Sequence, residues 1–437
     1  MNLWSIDIEK LTWDQLLEFL KQGEIETVRL DFKQALDDSV KKTICAFANT
    51  LGGIIVVGLE EDKVNNTCIF PSIDTSRLEP MRNSIKDSVF QASATKIYPP
   101  VSVQVSPIFE NPKDNTKAIY VIRVDQSAHA PHAYEKNRVL VAERKDNMTV
   151  NHDVLADIDV VQALFERRNR IEEKREQLIE QELNRTNGQF SHRSSRCAKR
   201  WISIIPWFPD RHLVDRNACF KVLQSYKLFP LRRQNPFTFP NGAYAQFSTN
   251  ELLDGTIRLT DYGHLHVSEV CPEVIEHWHH VVNNLNDEQS NQAQVDYHMY
   301  LQGQRKGYPL PIDFYYMHEL FYKVVVIYRE LFKNPVELPT LLEVTIGLQC
   351  VKDYQVSVGK QVQSTTRLID DEYRESIVCN LNELLENADD VLARLGSNLM
   401  YGCSLSSIYG GFDGYKSYMK ERWQHALKHF KPIQSQN

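Results

Sequence analysis

Two acids and a lysine stand close together near the start of the chain, in the stretch IETVRLDFKQAL spanning residues 25–36. Glu26, Asp31 and Lys33 are the residues in question, and a further acid cluster, Glu60-Glu61-Asp62, follows the apolar run IIVVGL. Side chains alternate across a strand with period two. A strand over 27–33 would therefore set Val28, Leu30 and Phe32 on one face and Thr27, Arg29, Asp31 and Lys33 on the other. The polar face is either a solvated sheet surface or a site. If strands 27–33 and 54–59 lie side by side, Asp31 and Asp62 can share a hard divalent cation, Mg²⁺ or Mn²⁺, which takes oxygen ligands. Such a cation supports phosphodiester cleavage by polarising the phosphate and activating the nucleophile, and Lys33 on the face of Asp31 can stabilise charge on the phosphate.

Several elements must position these groups. Apolar residues at Leu11, Trp13, Leu16, Leu17, Phe19 and Leu20 have helical spacing, so a helix is expected over 10–22. Asp37-Asp38-Ser39 supplies N-cap chemistry for a second helix through residues 40–49, which Gly52-Gly53 ends. IIVVGL, 54–59, reads as a central buried strand. A helix around 76–91, alternating strands at 101–109 and 117–125 joined by NPKDN, and a third at 138–145 complete an α/β domain over residues 1–150. A long charge-laced helix is expected over 153–183, followed by a polar, basic run at 184–200; together, residues 151–200 read as a linker. Residues 201–437 form a second, α+β domain, with helices at 324–332 and 376–395 and paired strands at 341–349 and 352–358.

The chain has 437 residues, 42% of them hydrophobic, and a net charge of -7. That suits two or three domains with ordinary cores, and any nucleic-acid contact must come from a local basic patch. No apolar run approaches the ~18 residues of a membrane span. The N-terminus lacks a secretory pattern, so a cytoplasmic protein without a membrane partner is expected. The eight cysteines form no C-x-x-C pair and read as reduced core thiols.

Other residues carry weaker signals. Gly52-Gly53 lies outside any phosphate-loop pattern, so ATP binding is not expected from it. Lys41 and Lys42 can touch phosphate or serve as ordinary surface lysines. His264, His266, Cys271, His277, His279 and His280 suit zinc by type, but their spacing matches no zinc motif and zinc is not expected. Arg193, Arg196, Lys199 and Arg200, with Arg185, Phe190 and Trp201 nearby, can either grip RNA by arginine contact and stacking or serve as a charged linker.

LDFKQAL, then KKTICAFANTLGGIIVVGLEED, closely resembles the AlbA-like domain of the Schlafen family and its prokaryotic relatives. The phrase A-F-A-N-T-x-G-G, Ala46 to Gly53, carries the resemblance, as does its distance from the D-F-K; RVLVAERKDN looks like the family's closing strand. The resemblance covers residues 20–150. It implies a metal-dependent endoribonuclease acting on structured RNA of the tRNA or rRNA class, in antiviral or stress defence. The family's three carboxylates then fall on Glu26, on Asp31 where the family has glutamate, and on Asp62. One AlbA-like lobe is visible where such nucleases use two, which implies a homodimer. Two alternatives are a non-catalytic DNA- or RNA-binding regulator and an ATP-binding or scaffold protein.

Overall fold

The computed structural model describes residues 2–22, 26–62, 67–69, 84–111, 114–145, 150–189, 198–209, 211–226, 233–249, 252–271, 312–339, 341–352, 355–357, 363–367, 370–402 and 420. The chain divides into two compact units, Met1–Glu173 and Lys174–Asn437. Both helices and sheets are present, as expected of an α/β chain. Among the described residues no helix is long and apolar enough to cross a membrane.

The first unit opens with two 3-10 turns and helix α1 (Trp13–Lys21). Thr12 begins α1 with a capping box, its side chain accepting from the Gln15 N–H while Gln15 reaches back to the Thr12 N–H. Strand β1 (Leu30–Lys33), helix α2 (Asp38–Asn49) and strand β2 (Gly53–Val57) follow. β1 is shorter than expected. Thr27 and Leu30 exchange backbone hydrogen bonds of 2.9 and 3.1 Å around a tight turn, so Thr27 and Arg29 leave the face that Asp31 and Lys33 share.

The expected neighbour of β1 is confirmed: β1 and β2 pair in parallel, with Asp31 opposite Ile55 and Lys33 opposite Val57. After β2 come β3 (Glu60–Asp62), β4 (Thr67–Ile69), α3 (Ser84–Lys96), β5 (Ile97–Tyr98), β6 (Val103–Val105), β7 (Phe109–Asn111) and β8 (Asp114–Val124). β9 (Ala133–Tyr134), β10 (Arg138–Arg144) and β11 (Val150–Leu155) complete the unit's strands. The main sheet runs β1-β2-β8-β6, with β7 also on β8, and a second sheet runs β11-β10-β9-β5. β11 replaces the start of the long helix expected from residue 153.

The main sheet is covered on both faces, as its apolar β2 requires. Leu30, Phe32, Ile54 and Val56 pack against Leu3, Ile8, Leu16 and Phe19 of the N-terminal segment. On the other face Ile55, Val57, Tyr120 and Ile122 pack against Val40, Ile44 and Phe47 of α2. α2 starts where Asp37 accepts from the Ser39 and Val40 N–H groups, and it stops at glycine. Gly52 adopts φ +71, and a Cβ there would meet the Gln126 nitrogen at 2.7 Å. A Cβ on Gly53 would meet the Phe47 ring at 2.0 Å, so both glycines serve the helix stop and the tight entry into β2.

Helix α4 (Ile158–Gln189) runs across the boundary between the units. The second unit contains β12 (Lys199–Pro206), α5 (Arg216–Ser225), β13 (Arg233–Phe239), β14 (Gly242–Thr249), β15 (Leu252–Thr260) and β16 (Leu265–Val270). It continues with β17 (Ile312–Asp313), α6 (Phe314–Leu331), β18 (Leu341–Gln349), β19 (Gln355–Ser357), β20 (Gln363–Arg367), β21 (Glu372–Asn380), α7 (Leu381–Glu386) and α8 (Ala388–Gly402). An antiparallel sheet runs β13-β14-β15-β16-β12-β18-β21.

Two sequence expectations fail here. Residues 376–380 continue β21 instead of starting a helix, because they pair with β18. β19 pairs with β17 and β20 and leaves β18 to β12 and β21. One face of the large sheet, with Ile202, Ile204, Val267, Val344 and Ile346, packs against Phe321, Val325 and Leu392 of the helices. The opposite face meets the second half of α4, where Trp201 and Ile205 pack with Ile179 and Leu183 amid polar pairs. There Arg175 bonds Glu343 at 2.6 Å, and Glu176 accepts from Arg374 at 2.5 Å.

Candidate functional site

Asp31 is wholly buried at the centre of β1, on the face that α2 covers. Its carboxylate meets side chains from three elements, two of which donate to it. Lys33, two residues along the same strand, places its Nζ at 2.9 Å from Oδ1 and 2.7 Å from Oδ2. Thr43 donates its hydroxyl to Oδ2 at 2.8 Å. Thr43 lies on the buried face of α2, between Val40 and Phe47, where helical spacing turns it toward the sheet.

His152 of β11 supplies the third group. Its Nδ1 lies 3.6 Å from Asp31 Oδ1, and its Nε2 is 2.7 Å from the Thr27 carbonyl. A carbonyl can only accept, so Nε2 carries the proton and the imidazole spans Asp31 and the turn before β1. Phe47 fixes the ring by an edge contact, with centroids 5.2 Å apart. Asp31 is therefore a buried carboxyl group held by the Thr43 hydroxyl and the Lys33 ammonium, with the His152 ring beside it. Lys33 is the most exposed of these partners, with 23% of its side chain in solvent.

The other predicted residues divide. Glu26 is half-buried before the Thr27 turn. Asp62 ends β3, and its side chain lies outside the described residues. Its strand passes beside β1, and the chain leaving β2 is tied to the Lys33 carbonyl by the Gly58 and Leu59 N–H groups at 2.6 and 3.1 Å. Lys41 pairs with Asp38 at 2.7 Å and Lys42 with Asp153 at 3.8 Å, both partly exposed on α2. Arg193 and Arg196 lie outside the described residues.

Lys199 and Arg200 correct the sequence reading. Both are buried in β12, Lys199 donating to Asn187 at 2.6 Å and Arg200 paired with Glu269, so neither presents charge to a phosphate. The strand's place at the middle of a sheet outweighs the basic run that the sequence displays.

Among the histidines, His264 and His266 are buried in the second unit, His264 on Ser203 at 3.1 Å and His266 stacked on Trp201. Burial holds His264 at a pKa of about 3 and His266 well below the ordinary value. Cys271 is buried and outside any disulfide. His277, His279 and His280 lie outside the described residues, as do the structures of Cys197 and Cys403. Among the described residues no group of three His, Cys, Asp or Glu side chains gathers to hold a metal.

Two residues escaped sequence reasoning. Thr43 interrupts an otherwise apolar helix face, and His152 is the inward residue of an alternating strand; those interruptions are the signals that could have found them. Asn49, inside the A-F-A-N phrase, proves to be structural. It donates to the His132 and Leu140 carbonyls at 2.8 Å each and accepts from the His132 N–H at 2.7 Å, tying α2 to β10. Arg167 of α4 adds two bonds to the Asn49 and Thr50 carbonyls at the end of α2, at 2.9 and 3.1 Å. A cleft of about 510 Å³ opens beside it, lined by residues that include Leu51, Glu143, Leu155, Val160 and Arg167, and Asp31 and Lys33 are not among them.

No curated protein matches the chain. Among solved structures, the DIP2311 protein from Corynebacterium diphtheriae is similar at 18% identity over 32% of this chain and 29% of that one. The TM-score is 0.21, too low to carry an argument, and the chain spans less than a third of that protein's length. The family comparison is more direct. Residues 26–152, the span that holds Glu26, Asp31, Lys33, Thr43 and His152, match the Schlafen AlbA_2 domain, so the first unit carries a Schlafen AlbA_2 domain and its function is nucleic-acid-related.

Proposed function

We propose that the chain is a divalent-metal-dependent endoribonuclease acting on structured RNA of the tRNA or rRNA class, with its reaction centre at Asp31. The observation that supports it is a wholly buried carboxylate paired with a lysine whose side chain is partly exposed. The donor set suits a hard cation, and Glu26, Asp31 and Asp62 would hold it, with magnesium or manganese as the ion. Such an ion, when bound, polarises the scissile phosphate and lowers the pKa of the attacking water. Thr43 holds the Asp31 carboxylate from behind, with the His152 ring packed beside it. Lys33, once freed from Asp31, neutralises charge developing on the phosphate. Lys41 and Lys42 on α2 contact the RNA backbone, and a second copy of the chain completes the groove. Defence or stress signalling in the cytoplasm is the setting this reading suggests.

Incubating the full chain with total RNA and Mn²⁺ or Mg²⁺, with and without EDTA, tests the proposal. Discrete fragments that EDTA abolishes are expected, and intact RNA under every metal condition overturns it. A second reading, a non-catalytic DNA- or RNA-binding regulator, is favoured by the completeness of the Asp31 network: both oxygens already accept hydrogen bonds from the protein. Under that reading Asp31→Asn changes stability and leaves nucleic-acid affinity intact.

A further inference from the structure

The second face of the large sheet is closed by α4 over part of its width. Thr186 approaches Thr256 at 3.5 Å, Glu182 reaches Arg258 at 3.4 Å, and Asn187 receives Lys199. Over β13 and β14 the same face carries Phe237 and Tyr244, which are register partners, and Phe237 is 45% exposed. Their rings stack with centroids 5.3 Å apart and planes 26° from parallel. Phe239 lies next in the row, 6.4 Å from Tyr244, and the Arg258 guanidinium sits 3.8 Å over its ring.

Alternation along the paired strands puts Asn235 and Gln246, again register partners, on this face beside the rings. Asn235 is exposed and Gln246 half-buried. Arg185 of α4, bonded to Glu182 at 2.6 Å, keeps 47% of its side chain in solvent and adds positive charge at the margin.

We propose that this open part of the sheet, over β13 and β14, is a platform that stacks the unpaired bases of a single-stranded nucleic acid on Phe237 and Tyr244. An exposed ring stacked on a half-buried one on an antiparallel sheet offers a face to any base, amides beside them can bond base edges, and guanidinium groups at the margin suit the phosphate backbone. A protein partner would call for an apolar core with few polar neighbours, whereas here the residues flanking the rings are Asn235, Gln246 and Arg258. The platform rests on residues of the second unit alone and shares only its ligand class with the proposed nuclease.

The test uses the full chain in EDTA, so that cleavage at the first unit cannot confound it. Fluorescence anisotropy compares a labelled oligouridylate with an abasic oligomer of equal length, and a 5-iodouracil version is photocrosslinked and mapped by mass spectrometry. The oligouridylate should bind at least about tenfold more tightly than the abasic strand, with crosslinks in the peptides holding Phe237 or Tyr244. Phe237→Ala should weaken it by about tenfold, while Phe237→Trp and Tyr244→Phe, which keep the rings and the hairpin, retain affinity. Equal binding of the two oligomers, or crosslinks confined to residues 1–173, would overturn the proposal. So would a proline-rich peptide that binds wild type and not Phe237→Ala while oligouridylate binding is unchanged.

Discussion

A buried ion pair in each unit invites comparison, and the two are built differently. In the second unit Arg200 and Glu269 face each other across β12 and β16, and both side chains are almost wholly buried. In the first unit Asp31 is equally buried, but its partner Lys33 keeps part of its side chain in water. A pair sealed on both sides cannot exchange either member for a ligand, and its charges are retained by mutual pairing. A pair open on the cationic side can release its ammonium to solvent or to a phosphate. The difference teaches that a buried acid beside a base reads as structure or as site according to which partner meets water.

Breaking the sealed pair should have the largest effect. Glu269→Ala leaves the Arg200 charge buried beside a void and should cost about 3–5 kcal/mol, read as a lower denaturation midpoint in urea. A loss below about 1 kcal/mol would place the pair in a wetter setting than its burial indicates.

Asp31→Asn should lower RNA cleavage by about 10²–10³-fold while the fold remains, because charge and not shape supports the proposed centre. Lys33→Ala should slow single-turnover cleavage far more than it weakens RNA binding. If Asp31→Asn cleaves at the wild-type rate, the open pair is as structural as the sealed one. Thr43→Val keeps the shape of α2 but removes a donor from a buried carboxylate. It should destabilise the first unit by about 1–3 kcal/mol in the same urea assay, and an unchanged midpoint would show that Lys33 alone satisfies Asp31.

Acid distinguishes the units more gently. Burial pushes His132 of the first unit down to about 4 and His264 of the second to about 3, with His266 also well below its ordinary value. Between pH 6.5 and 4 the unfolded chain binds protons that these folded sites refuse, so stability present above pH 6.5 is lost as pH falls. The second unit has two such histidines packed in one sheet face. Hydrogen exchange corrected for intrinsic rate should therefore show β16 losing more protection at pH 5 than β10, and equal losses would remove the distinction.

Legibility followed the range of the forces. The helix stop at Gly52, the N-cap at Asp37, the buried β2 and the D-F-K strand beside it were readable, because each depends on neighbours in sequence or on an unbroken apolar run. The end of β1 was not, since the turn at Thr27 is closed by backbone bonds that leave no mark on residue type. Residues 376–380 read as helix until β18 supplied a partner along their whole length.

The sequence by itself determined that the first unit sets an apolar, buried strand after a strand bearing an acid and a lysine, and it carried the resemblance to a Schlafen AlbA-like domain. Only the tertiary structure decided that Thr43 and His152, from a helix and from another sheet, meet that acid. It also decided that Lys199 and Arg200, basic by type, lie inside a sheet while Lys33 reaches water. The physical reason is that charge is a property of a residue, whereas burial and partnership belong to the strands and helices packed around it.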